Sequence, residues 1–174
     1  MFSSYLRLFT VSIWLGVFSS TTGFSQSSSI DSLKALLQTK STDSLRIDRL
    51  NALGIRLRST ALKEALAYAN EAYQLSLDKR DTVRLVQSAI SMGIAYSLQG
   101  DHSAVDDLMN KTEPLALRIN DQQNLGNVYL LRGRVSEVTA KYNEAIAHFR
   151  KAITHFEQSK HAVIITVFSM HCRA

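Results

Sequence analysis

The side chains that could do chemistry in this chain of 174 residues are five histidines, a single cysteine and 15 carboxylates. His148 and His155 stand seven apart. On one helix face they lie about 10.5 Å from each other along the axis, too far to share a metal ion. An exposed or half-buried helix surface accounts for both. His171-Cys172 is a soft-metal pair with no third ligand near it in the chain. Asp106 and Asp107 are adjacent, so they diverge by about 100° around a helix and cannot work as an acid/base pair; a solvated face explains them. The sequence carries no GxxxxGK[ST] phosphate loop, HExxH helix, GxSxG elbow or EF-hand loop. Cys172 alone allows no internal disulfide, thiolate zinc site or CxxC redox pair. The expectation is no catalytic residue, no metal and no cofactor. What remains is a basic stripe, Arg46, Arg49 and Arg56, beside the apolar stripe Leu50, Leu53 and Leu57. It is either a solvated helix flank or a groove wall able to hold an acidic peptide or a carboxylate.

The composition sets what can position these residues. Hydrophobic residues make up 45% and charged residues 20%, which is globular rather than disordered. One Pro and seven Gly are too few for a sandwich or barrel, which needs a turn signal every 8 to 12 residues or so. An all-α chain is expected. The net charge of +5, from 20 basic and 15 acidic residues, falls to +4 without Arg7 (19 minus 15), no warrant for nucleic-acid binding.

The amino terminus reads as an export address. Residues 1–7 carry one positive charge, residues 8–18 (LFTVSIWLGVF) are apolar but for Thr10 and Ser12, and residues 19–26 (SSTTGFSQ) are small and polar. These are the three regions of a secretory signal peptide. A cut after Ser25 would leave Gly23 and Ser25 at the small-residue positions. The alternative, an uncleaved anchor, needs roughly 20 apolar residues, more than this run provides. No Cys follows to carry a lipid. GFSQ before a serine-rich start resembles exported proteins of the Bacteroidetes type. A periplasmic or secreted location is expected, and removal of about 25 residues leaves one ordinary domain.

Beyond it the sequence repeats. Ala65, Val105 and Ala145 are spaced 40 and 40, as are Asp81, Asp121 and His161. Each unit reads as a helix, a short turn and a second helix. First helices are predicted at 44–59, 83–99 and 122–139, second helices at 62–78, 102–118 and 142–159. Leu50, Leu53 and Leu57, then Leu62, Ala65, Leu66, Ala69, Ala72 and Tyr73, recur at helical spacing. Packed alone each pair leaves an apolar face exposed, so neighbours must stack.

Met92-Gly93-x-x-Tyr96-x-x-x-Gly100 followed by Val105, Leu125-Gly126-Asn127-Val128-Tyr129-x-x-x-Gly133, and Tyr142-Asn143-Glu144-Ala145-Ile146 with Phe149, Ala152 and Ile153 resemble the tetratricopeptide repeat family in its roughly 40-residue form. The resemblance covers about residues 44–160. It implies a right-handed α-solenoid of about three helical hairpins (44–81, 82–121 and 122–160) whose first helices line a concave, partner-binding groove. Carried onto this chain, the groove candidates are Arg49, Arg56, Gln87, Ser97, Asn127, Arg134 and Glu137. The repeat-core residues are Gly93, Tyr96, Tyr129, Tyr142 and Ala145. The implied function is a non-catalytic protein-interaction scaffold with a protein or peptide in the groove. The competing class is the amino-terminal sensory part of a periplasmic sensor kinase or regulator, with a membrane span following.

Some residues depart from the pattern. Gly126 lies 33 after Gly93, whereas the 40-residue phase assigns that role to Gly133; the second helix favours the 40 phase. The first unit is shifted by one at Leu53-Gly54, and its turn, Ser59-Thr60-Ala61, is expected to be shorter. Pro114 predicts a kink or break near 110–113, because it removes a donor and clashes with the Asn110 carbonyl. Thr112 and Glu113 suggest weaker packing there. Residues 26–43 are expected as a flexible start and a short capping helix with Asp31 at its N-cap. Residues 161–174 are expected as an incomplete fourth repeat or tail, whose segment VIITVF is suited to self-association.

Overall fold

A computed structural model describes the backbone of residues 22–171 and the side chains of residues 29–160. Among the described residues the chain is all-helical, in seven helices: α1 (Thr22–Leu37), α2 (Asp43–Leu57), α3 (Leu62–Asp78), α4 (Thr82–Gln99), α5 (His102–Arg118), α6 (Gln122–Val138) and α7 (Tyr142–His171). The chain divides into two units after Thr39. The first unit's helix, α1, begins at Thr22, so Asp31 lies inside it and not at its N-cap, and residues 27–29 are helical. The expected signal peptide lies outside the described residues up to residue 21. The same holds for Cys172 and for the side chains of the VIITVF segment.

The second unit is built from α2 to α7. Its helix starts are set by side-chain oxygens accepting orphan amides of the first turn. Thr42 Oγ1 accepts from the Leu45 amide at 3.3 Å, and Asp81, Asp101 and Asp121 accept from the amides of Arg84, Ala104 and Asn124 at 3.0–3.1 Å. The helix ends recur every twenty residues. Arg80, Gly100, Asn120 and Ala140 all have positive φ, at 54°, 80°, 53° and 60°. In each case the next amide bonds back five residues: Asp81 to Ser76, Asp101 to Tyr96, Asp121 to Ala116 and Lys141 to Ser136. A left-handed residue followed by this bond closes a helix by satisfying its last carbonyls. The α2–α3 connection lacks such a residue. It spans Arg58 to Ala61, longer than the two-residue Gly100-Asp101 link and not shorter as expected. Without a left-handed residue the chain needs more length to reverse.

From α2 to α7 each helix packs on the next in the chain, and in addition α2 packs on α4 and α4 on α6, while the backbones of α3 and α5, and of α5 and α7, do not come close. The first helices of the hairpins therefore form the inner, closely spaced row of a helical solenoid. The second helices fan out behind them. The core runs between the rows through Ile47, Leu50, Leu53, Ala69, Val86, Ala89, Val105, Met109, Val128, Leu131 and Val135.

Glycines fix the register of the hairpins. A Cβ on Gly93 would stand 3.0 Å from Met109 Cε, and one on Gly133 would stand 2.5 Å from the Phe149 ring. Both partners lie sixteen residues on, so Gly133 holds the Gly93 role and the 40-residue phase is the structural one. Gly126 faces Phe156, and this pair occupies the place of Val86 and Ala116, forty residues earlier.

Two expectations are corrected here. Of the kink or break expected at Pro114, the break does not occur: helix α5 runs continuously through it. Proline costs about 3 kcal/mol in a helix interior, but Val105, Leu108, Met109, Thr112 and Ala116 are all buried on this helix, and that burial outweighs the cost. Thr112, far from marking weak packing, is 2% exposed and donates its hydroxyl to the Leu108 carbonyl at 2.7 Å. Helix α7 does not stop near 159 but continues to His171, because the Lys160-His161 step carries no helix-ending residue of the glycine or aspartate kind.

Candidate functional site: the inner groove

The inner row presents two adjoining depressions. One, of about 360 Å³, is lined by α2 (Asp48, Asn51, Ala52, Ile55) and its C-cap Arg58, α4 (Gln87, Ile90, Ser91, Ile94) and α6 (Asn124, Asn127). The other, of about 410 Å³, adds Leu98, Leu130, Leu131 and Arg134. They share Arg58, Ile90, Ile94 and Asn127, so they are one groove. Its floor is aliphatic, and Ile55, Leu98 and Leu130 are exposed within it.

The polar groups of the groove differ in how well they are satisfied. Asp48 is committed: both its oxygens accept from Arg84, at 2.8 and 2.9 Å. Arg84 also binds Asp81 Oδ2 at 3.0 Å and the Ser44 carbonyl at 3.2 Å. The bonds to Asp48 and then Asp81 push the Arg84 pKa above its ordinary value. Burial on its own would raise the Asp81 carboxyl, but the Arg84 amide and guanidinium together bring it below the usual carboxylate range. Asn124 donates to Asp121 Oδ2 at 2.7 Å and accepts from Asn127 at 3.2 Å. Asn51 stands apart. It is 7% exposed, and both its Nδ2 and Oδ1 are buried with no partner. Each unmade hydrogen bond of this kind costs about 1–3 kcal/mol. Among the described residues no carboxylate pairs with Arg58 or Arg134.

Of the seven groove candidates, the structure brings Gln87, Asn127 and Arg134 together here. Arg49 and Arg56 each follow a lining residue, Asp48 and Ile55, by one position and so point about 100° away. Ser97 and Glu137 line neither depression; Glu137 sits a turn beyond Arg134. Of the repeat-core candidates, Gly93, Tyr129 and Ala145 are buried and Tyr96 is half-buried against the main core. Tyr142 is a correction: it is 64% exposed, in line with Ile146 and Ile153. Their counterparts forty residues earlier on α5 are His102, Asp106 and Glu113, polar residues of which Asp106 is likewise exposed.

Sequence reasoning missed Asn51, Ile55, Ile90, Ile94, Leu98 and Leu130 as groove residues. A signal existed: each first helix carries more apolar residues than one core stripe can use. It also missed a cluster where α5, α6 and α7 meet. Glu113 accepts from the Tyr129 hydroxyl and pairs with Arg132 at 2.8 Å. His155 stacks on the Tyr129 ring with centroids 5.3 Å apart and planes at 2°, His148 stacks on it at 6.1 Å and 22°, and Lys151 Nζ lies 5.0 Å from its centroid. The histidines are thus half-buried, as the sequence suggested, but with a tyrosine between them. Burial first, then the bond to Glu113, pushes the Tyr129 hydroxyl up to about 12.

No helix among the described residues is long and apolar enough to cross a membrane. In comparisons with known proteins, no family model matches the chain and no curated protein matches it.

Proposed function

We propose that the chain is a non-catalytic protein-interaction module, similar to tetratricopeptide repeats, that holds an extended peptide in the groove of α2, α4 and α6 and acts outside the cytoplasm. The observation that carries the reading is Asn51: a buried carboxamide with donor and acceptor both unmet, in the wall of an aliphatic groove. Both atoms are closed off in this side-chain conformation, so binding requires the carboxamide to turn toward the groove; one peptide unit then offers the complementary acceptor and donor, and flanking side chains fit the floor of Ile55, Ile90, Ile94 and Leu130. The exported location rests on the charged, apolar and small-polar order of residues 1–26.

Asn51→Leu tests this with two readouts of opposite sign. Removing the unmet polar group raises stability by about 1 kcal/mol or more in urea melts, while a groove-binding peptide selected from a random library binds at least tenfold more weakly by fluorescence anisotropy. Unchanged peptide affinity would sink the proposal.

A further inference from the structure

The junction of α5, α6 and α7 contains a titratable ring that the groove does not use. His148, on α7, is half-buried against Tyr129 of α6, and its Nδ1 is buried with no partner. The charged and titratable groups around it are Tyr129 and Arg132 from α6, Glu113 from α5, and Glu144 and Lys151 from its own helix; His155 of the same helix stacks on the Tyr129 ring too, but its Nδ1 is engaged by Gln122 at 2.8 Å. Glu113 is already engaged by Arg132 and the Tyr129 hydroxyl, and the Arg132 Nε is itself buried without a partner. The site therefore has two cations, Arg132 and Lys151, beside the ring, and two carboxylates: Glu113, whose oxygens are taken, and Glu144, which faces Lys141 at 3.8 Å.

We propose that His148 makes the docking of α7 on α6 sensitive to acid: uncharged it stacks on Tyr129, and protonated it adds a third positive charge beside Arg132 and Lys151, so that α7 loosens while α2 to α4 stay folded. Burial, then Arg132 and Lys151, hold the His148 pKa below the ordinary 6.5, against weaker upward pulls from Glu144 and Glu113. A histidine depressed in the folded state binds its proton more readily when unfolded. Its contribution is therefore fully present above pH 6.5 and is lost as pH falls below 6.5 through the folded value. Asp81, the other depressed group, acts only below its ordinary 3.8, so the two windows do not overlap. The consequence reaches the groove, since α6 carries Asn127, Leu130, Leu131 and Arg134 on its inner side and Tyr129 and Arg132 toward α5 and α7.

Amide hydrogen exchange of the full chain at about pH 7.5 and about pH 5, corrected for the intrinsic pH dependence of exchange, tests the device. The expected result is exchange in α7 that accelerates about tenfold for each pKa unit of depression, with α3 unchanged, and His148→Gln abolishing the difference. Equal acceleration of α3 and α7, or an undiminished pH response in His148→Gln, would overturn it. Should that variant not fold, the imidazole resonance of His148 in the unaltered chain decides: titration below 6.5 upholds the device, and titration at or above 6.5 removes it.

Discussion

The second and third hairpins solve one packing problem with opposite distributions of volume. In the second, Val86 of α4 meets Ala116 of α5 in a cluster with Leu125. In the third, the same positions hold Gly126 and Phe156, with the bulk moved wholly to the second helix. At the other contact the distribution is kept: Met109 against Gly93 becomes Phe149 against Gly133, with the bulk on the second helix both times. A packed interior is sensitive to total volume at a contact, not to which helix supplies it, so the period survives while the residues at it change. The third hairpin also replaces the apolar Met92 by Arg132, forty residues on, and answers it with Glu113 from the preceding unit. Its contact with the preceding hairpin thus includes a charge pair, as the Arg84–Asp48 contact does between the second hairpin and the first.

The comparison can be broken most severely at Gly126. Gly126→Val leaves no room beside the Phe156 ring, and a loss of about 3 kcal/mol in urea melts is expected. Adding Phe156→Ala, which rebuilds the Val86–Ala116 arrangement, recovers at least about 1 kcal/mol relative to the sum of the single effects. Strict additivity would show that the two hairpins are not equivalent. Next comes Glu113→Ala, which leaves Arg132 and the Tyr129 hydroxyl without their partner. Both charged side chains are 21% exposed, so about 2 kcal/mol is expected, less than for a fully buried pair. The helix ends sharpen the comparison at smaller cost. Gly100 and Ala140, forty apart, both adopt positive φ. Gly100→Ala lowers and Ala140→Gly raises stability by about 1 kcal/mol each in thermal melts. Smallest is an alkaline effect at Tyr129 of the third hairpin. A group raised in the folded state contributes below its unfolded value and loses that contribution as pH rises through the folded one. Tyr129 should therefore ionise near 12 in an ultraviolet titration, after an ordinary tyrosine at about 10, with stability falling across that interval.

Much of the frame was legible because its determinants are local. Asp81 and Asp121 cap helices where their spacing predicts, and Gly93, Tyr129 and Ala145 lie in the interior. Pro114 misled because its cost is local, while the burial that offsets it is set by residues of neighbouring helices. The groove was half legible. Gln87, Asn127 and Arg134 stand at inner positions, but Asn51 reads as an unremarkable polar residue until burial shows both its amide groups unmet. Ile55, Ile94 and Leu130 are not singled out, since periodicity cannot tell an exposed inner stripe from the buried one beside it. The Glu113–Tyr129–Arg132–His148 cluster was illegible, being assembled from three helices with no short-range spacing to mark it.

The most direct test is a two-dimensional NMR titration of the chain with a library-selected peptide, following backbone amides and the Asn51 side-chain amide. The account predicts that the largest shift changes fall on Asn51, Ile90, Ile94, Asn127 and Leu130, with the Asn51 side-chain protons moving as their hydrogen bonds form. Changes concentrated on the outer helices α3 and α5, with Asn51 unmoved, would contradict it.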